Sequence, residues 1–461
     1  MKRIKIYLIG SFLLITVLFS CKKMFDVDPN DPSQIRKADA LKKPSDVQEV
    51  LNAGYDNISN LYNGRVQYYG ELLSDNVIAP KSNNDYNEVF NRATIFFNSS
   101  VGGFYGDMYK IIYKANTVLD FIDVVPGFTA SEKARMIAEA KFMRALGHFT
   151  AVKYFAQPYG YTSDNSHLGI PLRKNSTPEV TKRSTCKESY DFIIKDLTEA
   201  VPDLPETNLN NTNATKYAAK ALLAKVYFQM NDFANVISQV NDIVNSNLFG
   251  LADSVNIYDN STSAKKEMIF FIKSVNNDQK SGDLRGNYHD VGSNQPQIAV
   301  SANLYAVASS RSGDKRTAYY AACVGGFRSL KFDSAYFNIP VLYLTDMLLM
   351  RAEALAETTT NLSVAIADVN SIISRAFGGI SQNISLGSGA ETIKVAARFE
   401  RRLEMPMEGD RVQQLKRMGA KGEPNILIRN APWNCNGLAL QFPASESTIK
   451  GFQMNPEGGC N

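Results

Sequence analysis

The sequence predicts a mainly α-helical protein, a tetratricopeptide-like scaffold of helical hairpins that carries long loops and small β insertions. Two observations support this fold class. Apolar side chains recur every three or four positions in the stretches near 131–155, 213–245 and 341–377. The stretches near 60–105 and 275–340 are rich in Asn, Gly, Ser and Tyr, which is typical of long ordered loops. A stack of hairpins buries a continuous core that no single hairpin buries alone.

Residues 1–20 have the pattern of a bacterial lipoprotein signal peptide. A positively charged start leads into an apolar stretch, and Ser20 directly precedes Cys21. The apolar stretch is shorter than the roughly 20 residues that a helix needs to cross a bilayer. We therefore expect cleavage before Cys21, acylation of that residue, a tether over residues 21–32, and one helical domain over residues 33–461. The alternative is an ordinary secretory signal in which Cys21 is incidental.

The three helical stretches differ in detail. In the first, the apolar residues that share one helix face are Phe142, Leu146, Phe149, Val152 and Phe155. The second predicts two helices joined at Asn231-Asp232, with large, small and aromatic positions in tetratricopeptide order. The third predicts another pair, which Gly378 terminates. Between the second and third stretches, the apolar run 268–272 is compatible with a buried strand.

The two loop stretches combine aromatic and polar side chains. A sugar presents C–H faces to flat rings and hydroxyl edges to Asn, Asp and Arg, so this mixture favours glycan binding. The predicted ligand-binding residues are Arg65, Tyr68, Tyr69, Asp75, Asn76 and Tyr86 in the first stretch and Tyr288, Tyr305 and Tyr319 in the second. The chain has one tryptophan, Trp433. Because a starch-type platform usually needs more indole rings, a peptide remains an alternative to a glycan as the ligand.

The stretch from Glu400 to Arg411 carries a dense set of charges. Paired carboxylates serve as acid and base in glycosidases. Here arginines alternate with the carboxylates, so we expect guanidinium partners that lower the carboxyl pKa values. A general acid needs the opposite shift. We therefore interpret Glu400, Glu404 and Glu408 as arginine-bound structural residues, and we predict neither an enzyme nor a cofactor.

Charge and cysteine content limit the functions further. Removal of residues 1–20, which hold three basic and no acidic side chains, changes the formal charge from +4 to +1. This balance argues against a nucleic-acid partner. Neither the cysteines nor the three histidines have metal-ligand spacing. Cys435 and Cys460 are expected to form a disulfide more readily than any other pair, and the alternative is that both are free buried thiols.

Five motifs follow one another along the chain. They are Cys21-Lys-Lys-Met-Phe-Asp-Val-Asp-Pro, Tyr109-Lys-Ile-Ile-Tyr-Lys-Ala-Asn116, Ala138-Glu-Ala-Lys-Phe-Met-Arg-Ala-Leu146, Leu349-Met-Arg-Ala-Glu-Ala354 and Glu400-Arg-Arg-Leu-Glu404. In this order they resemble the SusD/RagB family of outer-membrane nutrient-binding lipoproteins. The resemblance runs from Cys21 nearly to the C-terminus.

This resemblance implies a protein anchored to the outer membrane through Cys21 alone, facing the cell surface. It would bind an oligosaccharide and deliver it to a SusC-like TonB-dependent transporter. A peptide-binding, RagB-like member is the first alternative. An interaction scaffold without a small ligand is the second, and it would pack the aromatic side chains of both loops inward, whereas a binding module would expose several around one concavity. An enzyme would show two carboxylates facing each other without arginine partners.

Overall fold

Paired helices make up most of the computed structural model, which describes residues 40–81, 83–177, 181–208, 211–289 and 295–460. The predicted signal peptide (residues 1–20) and the predicted tether (residues 21–32), which begins at Cys21, therefore lie outside the described residues. The predicted mainly helical fold is confirmed. Among the described helices, none combines the length and the apolar character that crossing a membrane requires.

The N-terminal helices enclose the largest part of the core. They are α1 (Pro44–Tyr62), α2 (Arg65–Leu73), α3 (Asn84–Phe90), α4 (Ser99–Phe121) and α5 (Ala130–Phe155). Helix α4 packs between α1 and α5. All five apolar side chains predicted on one face of α5 are buried. Thr129 and Glu132 form a capping box at the start of α5, which satisfies backbone N–H groups that the first helical turn leaves without partners.

The first predicted loop stretch is mostly helical, so the expectation of a long loop near 60–105 is wrong. It contains α2, α3 and the beginning of α4. The Asn residues that suggested a loop include two helix N-caps, since Asn83 accepts from the Tyr86 backbone N–H and Asn98 from that of Val101. Short capped helices of tyrosine and glycine lack the apolar periodicity that identifies longer helices.

The central elements follow the predicted order. They are β1 (Leu168–Pro171), β2 (Arg183–Thr185), α6 (Cys186–Ala200), α7 (Lys216–Gln229), α8 (Phe233–Asn245), α9 (Thr262–Glu267) and β3 (Met268–Ile272). The predicted helix pair near 213–245 is confirmed as α7 and α8. Asn231 adopts a φ of 58° at the joint, and the Asp232 side chain caps α8. The predicted buried strand is confirmed as β3, all of whose residues are buried.

The C-terminal elements complete the fold. They are α10 (Gly282–Tyr288), α11 (Ala302–Ala308), a 3₁₀ helix (Lys315–Tyr319), β4 (Tyr320–Cys323), β5 (Gly326–Ser329), β6 (Ile339–Tyr343), α12 (Leu344–Glu357), α13 (Leu362–Phe377), α14 (Ala390–Glu404), α15 (Asp410–Ala420), β7 (Leu427–Ile428), β8 (Ala431–Pro432), a second 3₁₀ helix (Asn436–Leu438) and α16 (Ala444–Ser447). The second predicted loop stretch is thus composed of short elements, among them the β4–β5 hairpin.

The last predicted helix pair is confirmed with one correction. Helix α12 begins at Leu344, not at Val341, because residues 339–343 form β6 and pair antiparallel with β3. An apolar run fits a strand as well as a helix, and the partner strand decides between them. Helix α13 ends where predicted: Gly378 adopts a φ of 73°, a conformation that glycine reaches without a steric penalty.

The predicted disulfide is also confirmed. Cys435 and Cys460 are bonded, with 5.2 Å between their Cα atoms. The bonded segment packs against the chain that follows α3, where a Cβ on Gly437 would lie 1.7 Å from the Arg92 carbonyl oxygen. Only glycine permits this approach. Cys186 is a free, buried thiol, and burial raises its pKa to about 12, so it is inert at neutral pH.

Candidate ligand-binding face

The two stretches predicted to bind ligand meet through paired backbone. The Ile78 N–H donates to the Ala299 carbonyl at 3.0 Å, and the Lys81 N–H donates to the Gln297 carbonyl at 3.3 Å. Val300 forms antiparallel β-bridges with Val77 on one side and with Phe327 of β5 on the other. This pairing sets α2 and α3 beside α10, α11 and the β4–β5 hairpin. We call the surface formed by Arg65, Tyr86, Tyr305 and Phe327 the aromatic face.

A cluster of tilted rings supports the first part of the aromatic face. The Tyr68 ring lies 4.7 Å from Tyr69 and 5.1 Å from Tyr86 between ring centroids, and the Tyr69 ring meets Tyr86 edge-on at 6.1 Å. Tyr69 in turn lies 4.6 Å from Phe104 of α4. Tyr86 is half-buried, whereas Tyr68 is 4% and Tyr69 1% exposed. The expectation that Tyr68 and Tyr69 offer exposed stacking faces is therefore wrong. Helix α2 is enclosed by its neighbours on nearly all sides, so these two rings form the base on which Tyr86 rests.

Burial determines the titration of these phenols. It raises the pKa of Tyr68 and of Tyr69 well above their usual range. It also raises the pKa of Tyr86, although hydrogen bonds with Tyr68 and Asn287 act in the opposite direction. All three hydroxyls are consequently neutral at physiological pH. A neutral hydroxyl both donates and accepts, as a sugar hydroxyl does.

Arg65 lies at the edge of this cluster. Its side chain is 31% exposed and forms an ion pair with Asp107 of α4. Asp107 also accepts from the Lys110 ammonium at 2.9 Å. Two cations thus share one carboxylate. The Arg65 guanidinium, which has five N–H donors, keeps donors for a ligand at this edge.

A second pair of rings forms the other part of the face. Tyr305 of α11 stacks on Phe327 with 3.7 Å between centroids and 12° between planes, and both rings are half-buried. The edge of Tyr320 supports Tyr305 at 6.1 Å. The N-terminus of α11 is fixed, because the Ser301 hydroxyl accepts from the Leu304 N–H and donates to the Asp75 carbonyl. A rigid, half-exposed aromatic pair of this kind can stack on a sugar ring.

Two predicted ligand residues of the second stretch lie in the core instead. Tyr288 is fully buried and packs on Phe332 at 5.5 Å. Tyr319 is 4% exposed and donates its hydroxyl to the Val255 carbonyl at 2.5 Å. The expectation of ligand contact is wrong for both in this arrangement. Each sits at the end of a short helical turn whose inner side faces the core, which composition alone does not reveal.

Asp75 and Asn76 belong to a neighbouring set of buried charges. Asp75 accepts two hydrogen bonds from Arg411, at 2.8 and 3.0 Å, and a longer one from Arg402. Burial raises the pKa of Asp75, but Arg411 overcomes this effect and the net shift is downward. Asn76 is buried and donates to Glu71 at 2.9 Å. Asp75 is 25% exposed and so remains at the border of the aromatic face, while Asn76 does not.

The buried charges form what we call the arginine layer, namely Arg316, Arg375, Arg401 and Arg417 with their carboxylate partners. Glu404 accepts from Arg316 at 2.9 Å and from Arg375 at 2.7 Å. Glu400 accepts from Arg316 at 2.7 Å and from Arg311 at 2.8 Å. The prediction that Glu400 and Glu404 bind guanidinium groups is confirmed, but the arginines come from other elements, since the interleaved Arg401 and Arg402 pair with aspartates instead. The prediction is wrong for Glu408, which binds the Lys331 ammonium and the Tyr343 hydroxyl.

Phe327 is the functional candidate that the sequence did not reveal. It follows Gly325-Gly326, a dipeptide typical of a hairpin turn, and this signal predicts β4 and β5. The alternation of inward and outward residues along β5 does not predict that the Phe327 ring contacts Tyr305. No group of His, Cys, Asp and Glu among the described residues has the arrangement of a metal site.

Comparison with known proteins identifies the relatives of this fold. A sequence model described as "Starch-binding associating with outer membrane" matches residues 27–228, and one described as "SusD family" matches residues 266–445. SusD-like protein P2 of Formosa agariphila is 24% identical over 96% of this chain and 97% of its own length. SusD-like protein P38 of the same organism is 25% identical over 54% of this chain, which spans 48% of that relative.

Solved structures share the architecture. A SusD superfamily protein from Bacteroides thetaiotaomicron superposes with a TM-score of 0.77 at 21% identity, covering 90% of this chain and 100% of the other. A laminarin-binding SusD-like protein superposes with a TM-score of 0.71 at 21% identity, covering 90% of this chain and 99% of the other. The similarity extends over nearly all described helices, so the scaffold that carries the aromatic face is common to these proteins.

Proposed function

Because the chain belongs to the SusD/RagB family, we propose that it is an outer-membrane lipoprotein that binds an oligosaccharide and delivers it to a SusC-like TonB-dependent transporter. The observation that carries this proposal is the half-exposed Tyr305–Phe327 stack, whose segment is joined by the bridges of Val300 to the stretch that holds Arg65 and Tyr86. The starch-binding description of the first family model and the laminarin-binding neighbour support a glycan ligand.

The geometry explains how a glycan would bind. The C–H face of one sugar ring stacks on Tyr305 or Tyr86, and each aromatic contact contributes about 0.5 to 1.5 kcal/mol beyond the area that it buries. Arg65 donates to a pair of hydroxyls at the edge of the same face. The rings are held from below by Phe327 and Tyr68, so little side-chain freedom is lost on binding.

The carboxylate-rich helix α14 is proposed to stabilise the fold and to take no part in catalysis. Glu400 and Glu404 are 1% and 5% exposed and each binds two guanidinium groups. In a glycosidase the two carboxyl groups face the scissile bond of the substrate, whereas both of these carboxyl groups are buried against arginines. This set of contacts supports a binding protein in preference to a glycosidase.

Calorimetric titration of the full-length protein in detergent tests the proposal. We expect laminari- or malto-oligosaccharides to bind, and we expect Tyr86→Ala and Tyr305→Ala to weaken binding while melting temperatures stay close to that of the parent. Tyr227, a half-buried tyrosine on α7, supplies the matched control Tyr227→Ala. Saturable binding of oligopeptides without any glycan binding would instead identify a RagB-like peptide-binding member.

Anchoring and delivery need separate tests. Mass spectrometry of protein from membranes should find an acylated N-terminal Cys21, and an intact Met1 or a free Cys21 thiol would contradict the lipid anchor. Cross-linking in native outer membranes should capture a TonB-dependent transporter of the SusC type. Recovery of the acylated protein without such a transporter would leave glycan binding in place and refute delivery.

A further inference from the structure

A groove lies outside the aromatic face, between the segment that precedes α7, helix α9 and the ends of β3 and β6. It encloses about 420 Å³. Its side chains include Asn211, Asn260, Asn338, Lys265, Lys273 and Tyr336. None of the residues that define the aromatic face lines it. The volume matches small-molecule sites, which range from about 300 to 1,000 Å³.

The wall of the groove is held by a closed set of hydrogen bonds. The Asn338 N–H donates to the Asn260 Oδ1 at 2.9 Å, the Asn260 Nδ2 donates to the Ser274 carbonyl at 3.2 Å, and the Ser274 N–H donates to the Asn338 Oδ1 at 3.2 Å. Three residues distant in sequence are thereby fixed against one another. Pre-organised polar groups of this kind reduce the entropy that a ligand loses on binding.

Asn338 has one polar atom without a partner. Its side chain is 1% exposed, and its Nδ2 forms no hydrogen bond with the described residues. A buried donor without an acceptor costs about 1 to 3 kcal/mol. This nitrogen has almost no solvent-accessible surface, so it belongs to the buried wall of the groove and offers no contact to a ligand.

The charge of the groove is positive. Lys265 and Lys273 line it, both are exposed, and neither forms an ion pair within the described part of the chain. Lys280, farther along, does form one, with Asp56 at 2.9 Å. No Asp or Glu is among the residues that line the groove. Two ammonium groups without a facing carboxylate attract an anion.

Tyr336 adds an aromatic surface. It is half-buried, and its ring has no aromatic partner among the described residues. Phe271 of β3 lines the same groove and is 4% exposed. A ring of this kind can lie against the C–H face of a sugar while carboxamides bind the sugar hydroxyls.

From these contacts we propose that the groove is a second binding site, for a saccharide unit that carries an acidic group, either a carboxylate or a sulfate ester. The acidic group binds between the Lys265 and Lys273 ammonium groups, and the sugar ring lies along Tyr336. This site is separate from the aromatic face, so a single acidic glycan chain or two different glycans can be held at once.

Calorimetric titration of the full-length protein with tetragalacturonate, with a sulfated carrageenan tetrasaccharide, and with neutral maltotetraose tests this site. We expect at least one acidic probe to bind in the presence of saturating maltotetraose, and affinity to fall as NaCl rises from 50 to 500 mM, because salt screens exposed charges. The probe that binds distinguishes a uronate from a sulfate ligand. Failure of both acidic probes to bind at millimolar concentration would overturn the proposal.

The variant Lys265→Gln with Lys273→Gln assigns the binding to the groove. We expect about a tenfold or greater loss of affinity for the acidic probe, because two rim charges are removed. Lys266→Gln, an exposed neighbour that does not line the groove, is the matched control and should bind as the parent does. Equal binding by the double variant and the parent would refute the site.

The outcomes separate this proposal from the proposed function. Loss of maltotetraose binding in Tyr305→Ala with acidic binding retained supports two sites. Loss of acidic binding in Tyr305→Ala, with the lysine variants unaffected, would place the acidic ligand on the aromatic face and refute the groove. Because Lys265 and Lys273 are both exposed, the lysine variants should keep the parent's melting temperature, which excludes misfolding as the cause.

Discussion

The arginine layer and the aromatic face are adjacent, but they differ in how far their polar side chains are buried and paired. In the arginine layer Arg316 is fully buried and donates to Asp314, Glu400 and Glu404. On the aromatic face Arg65 is 31% exposed and shares Asp107 with Lys110. Charged side chains are therefore densest in the arginine layer, where each of the four arginines already forms an ion pair. Donors and rings available to a ligand lie where charge is sparse and burial is incomplete.

Burial and pairing have opposite effects on the charges of the arginine layer. Burial lowers the pKa of Arg316, but the three carboxylates raise it further, so the net shift is upward. The same balance raises the pKa of Arg375 and Arg401. These guanidinium groups therefore stay charged in the folded protein. Removal of one partner leaves a buried charge without compensation.

The largest effect is expected where this balance is broken. Glu404→Gln removes the carboxylate that Arg316 and Arg375 share, and we expect a loss of about 3 to 5 kcal/mol in the free energy of unfolding. Urea denaturation measures it. Glu391→Gln on the same helix removes an exposed partner of Lys394 and should leave the denaturation midpoint nearly unchanged. Equal midpoints for both variants would contradict the structural role of the layer.

The next largest loss of stability is expected in the C-terminal segment, which packs against α3 and so supports the aromatic face. Arg92, which follows α3, donates to the Ile428 carbonyl at 2.6 Å, and Arg429 donates to the Leu72 carbonyl at 3.0 Å. Replacing Cys435 and Cys460 by Ser opens the closed loop and should cost about 3 kcal/mol. Hydrogen exchange should rise in α3 more than in α14. Cys323→Ser keeps the disulfide and is the control. A uniform rise across both helices would show that the segment does not brace this face in particular.

The third prediction concerns a buried carboxylate without an arginine. Glu71 is fully buried and accepts from Asn76, Ser74 and the Gly409 N–H. Burial outweighs these hydrogen bonds and raises its pKa to about 7. The folded protein then holds a proton that the unfolded chain has released above about pH 4.5, so stability falls as pH rises from about 4.5 to 7.

Glu71→Gln removes this titration. Relative to the parent, the variant should gain on the order of 2 to 3 kcal/mol between pH 5 and pH 8. Urea denaturation at both pH values gives the difference, and it does not depend on any constant cost of the substitution. An identical difference at the two pH values would show that Glu71 ionises in the folded state as it does in the unfolded chain.

The smallest effect is expected on the aromatic face. Tyr305→Ala should weaken glycan binding by about 1 kcal/mol, roughly fivefold, because one stacking surface is lost. Tyr305→Phe keeps the ring over Phe327 and should bind nearly as the parent does. Tyr69→Ala offers the contrast: this ring is 1% exposed and touches Phe104, so its loss should lower the melting temperature. A stable Tyr69→Ala variant that loses binding would place the ligand deeper than the structure indicates.

Apolar periodicity predicted the long helices well. The pair α7–α8, the helix α13 with its terminal Gly378, and the strand β3 all lie where the sequence indicated. Helices α8 and α13 each bury apolar residues at helical spacing, whereas the uniformly apolar β3 is distinguished from a helix by its short length. Helices α2 and α3 were missed because tyrosine, glycine and capping asparagine also occur in loops.

The sequence by itself determined the helical pairs, because they depend on local spacing, and it favoured the Cys435–Cys460 disulfide, because few cysteines are available as partners. The guanidinium partners of Glu400 and Glu404 come instead from distant positions, namely Arg311, Arg316 and Arg375, and not from the neighbouring Arg401 and Arg402. Only the tertiary structure decided which tyrosines face solvent. Tyr68, Tyr69, Tyr288 and Tyr319 are buried while Tyr86 and Tyr305 are half-exposed, although all lie in similar sequence surroundings. Exposure of a ring depends on what packs against its helix from elsewhere in the chain. The groove also depends on tertiary contacts, since Asn211, Asn260 and Asn338 are far apart in sequence and lie together where β3 pairs with β6.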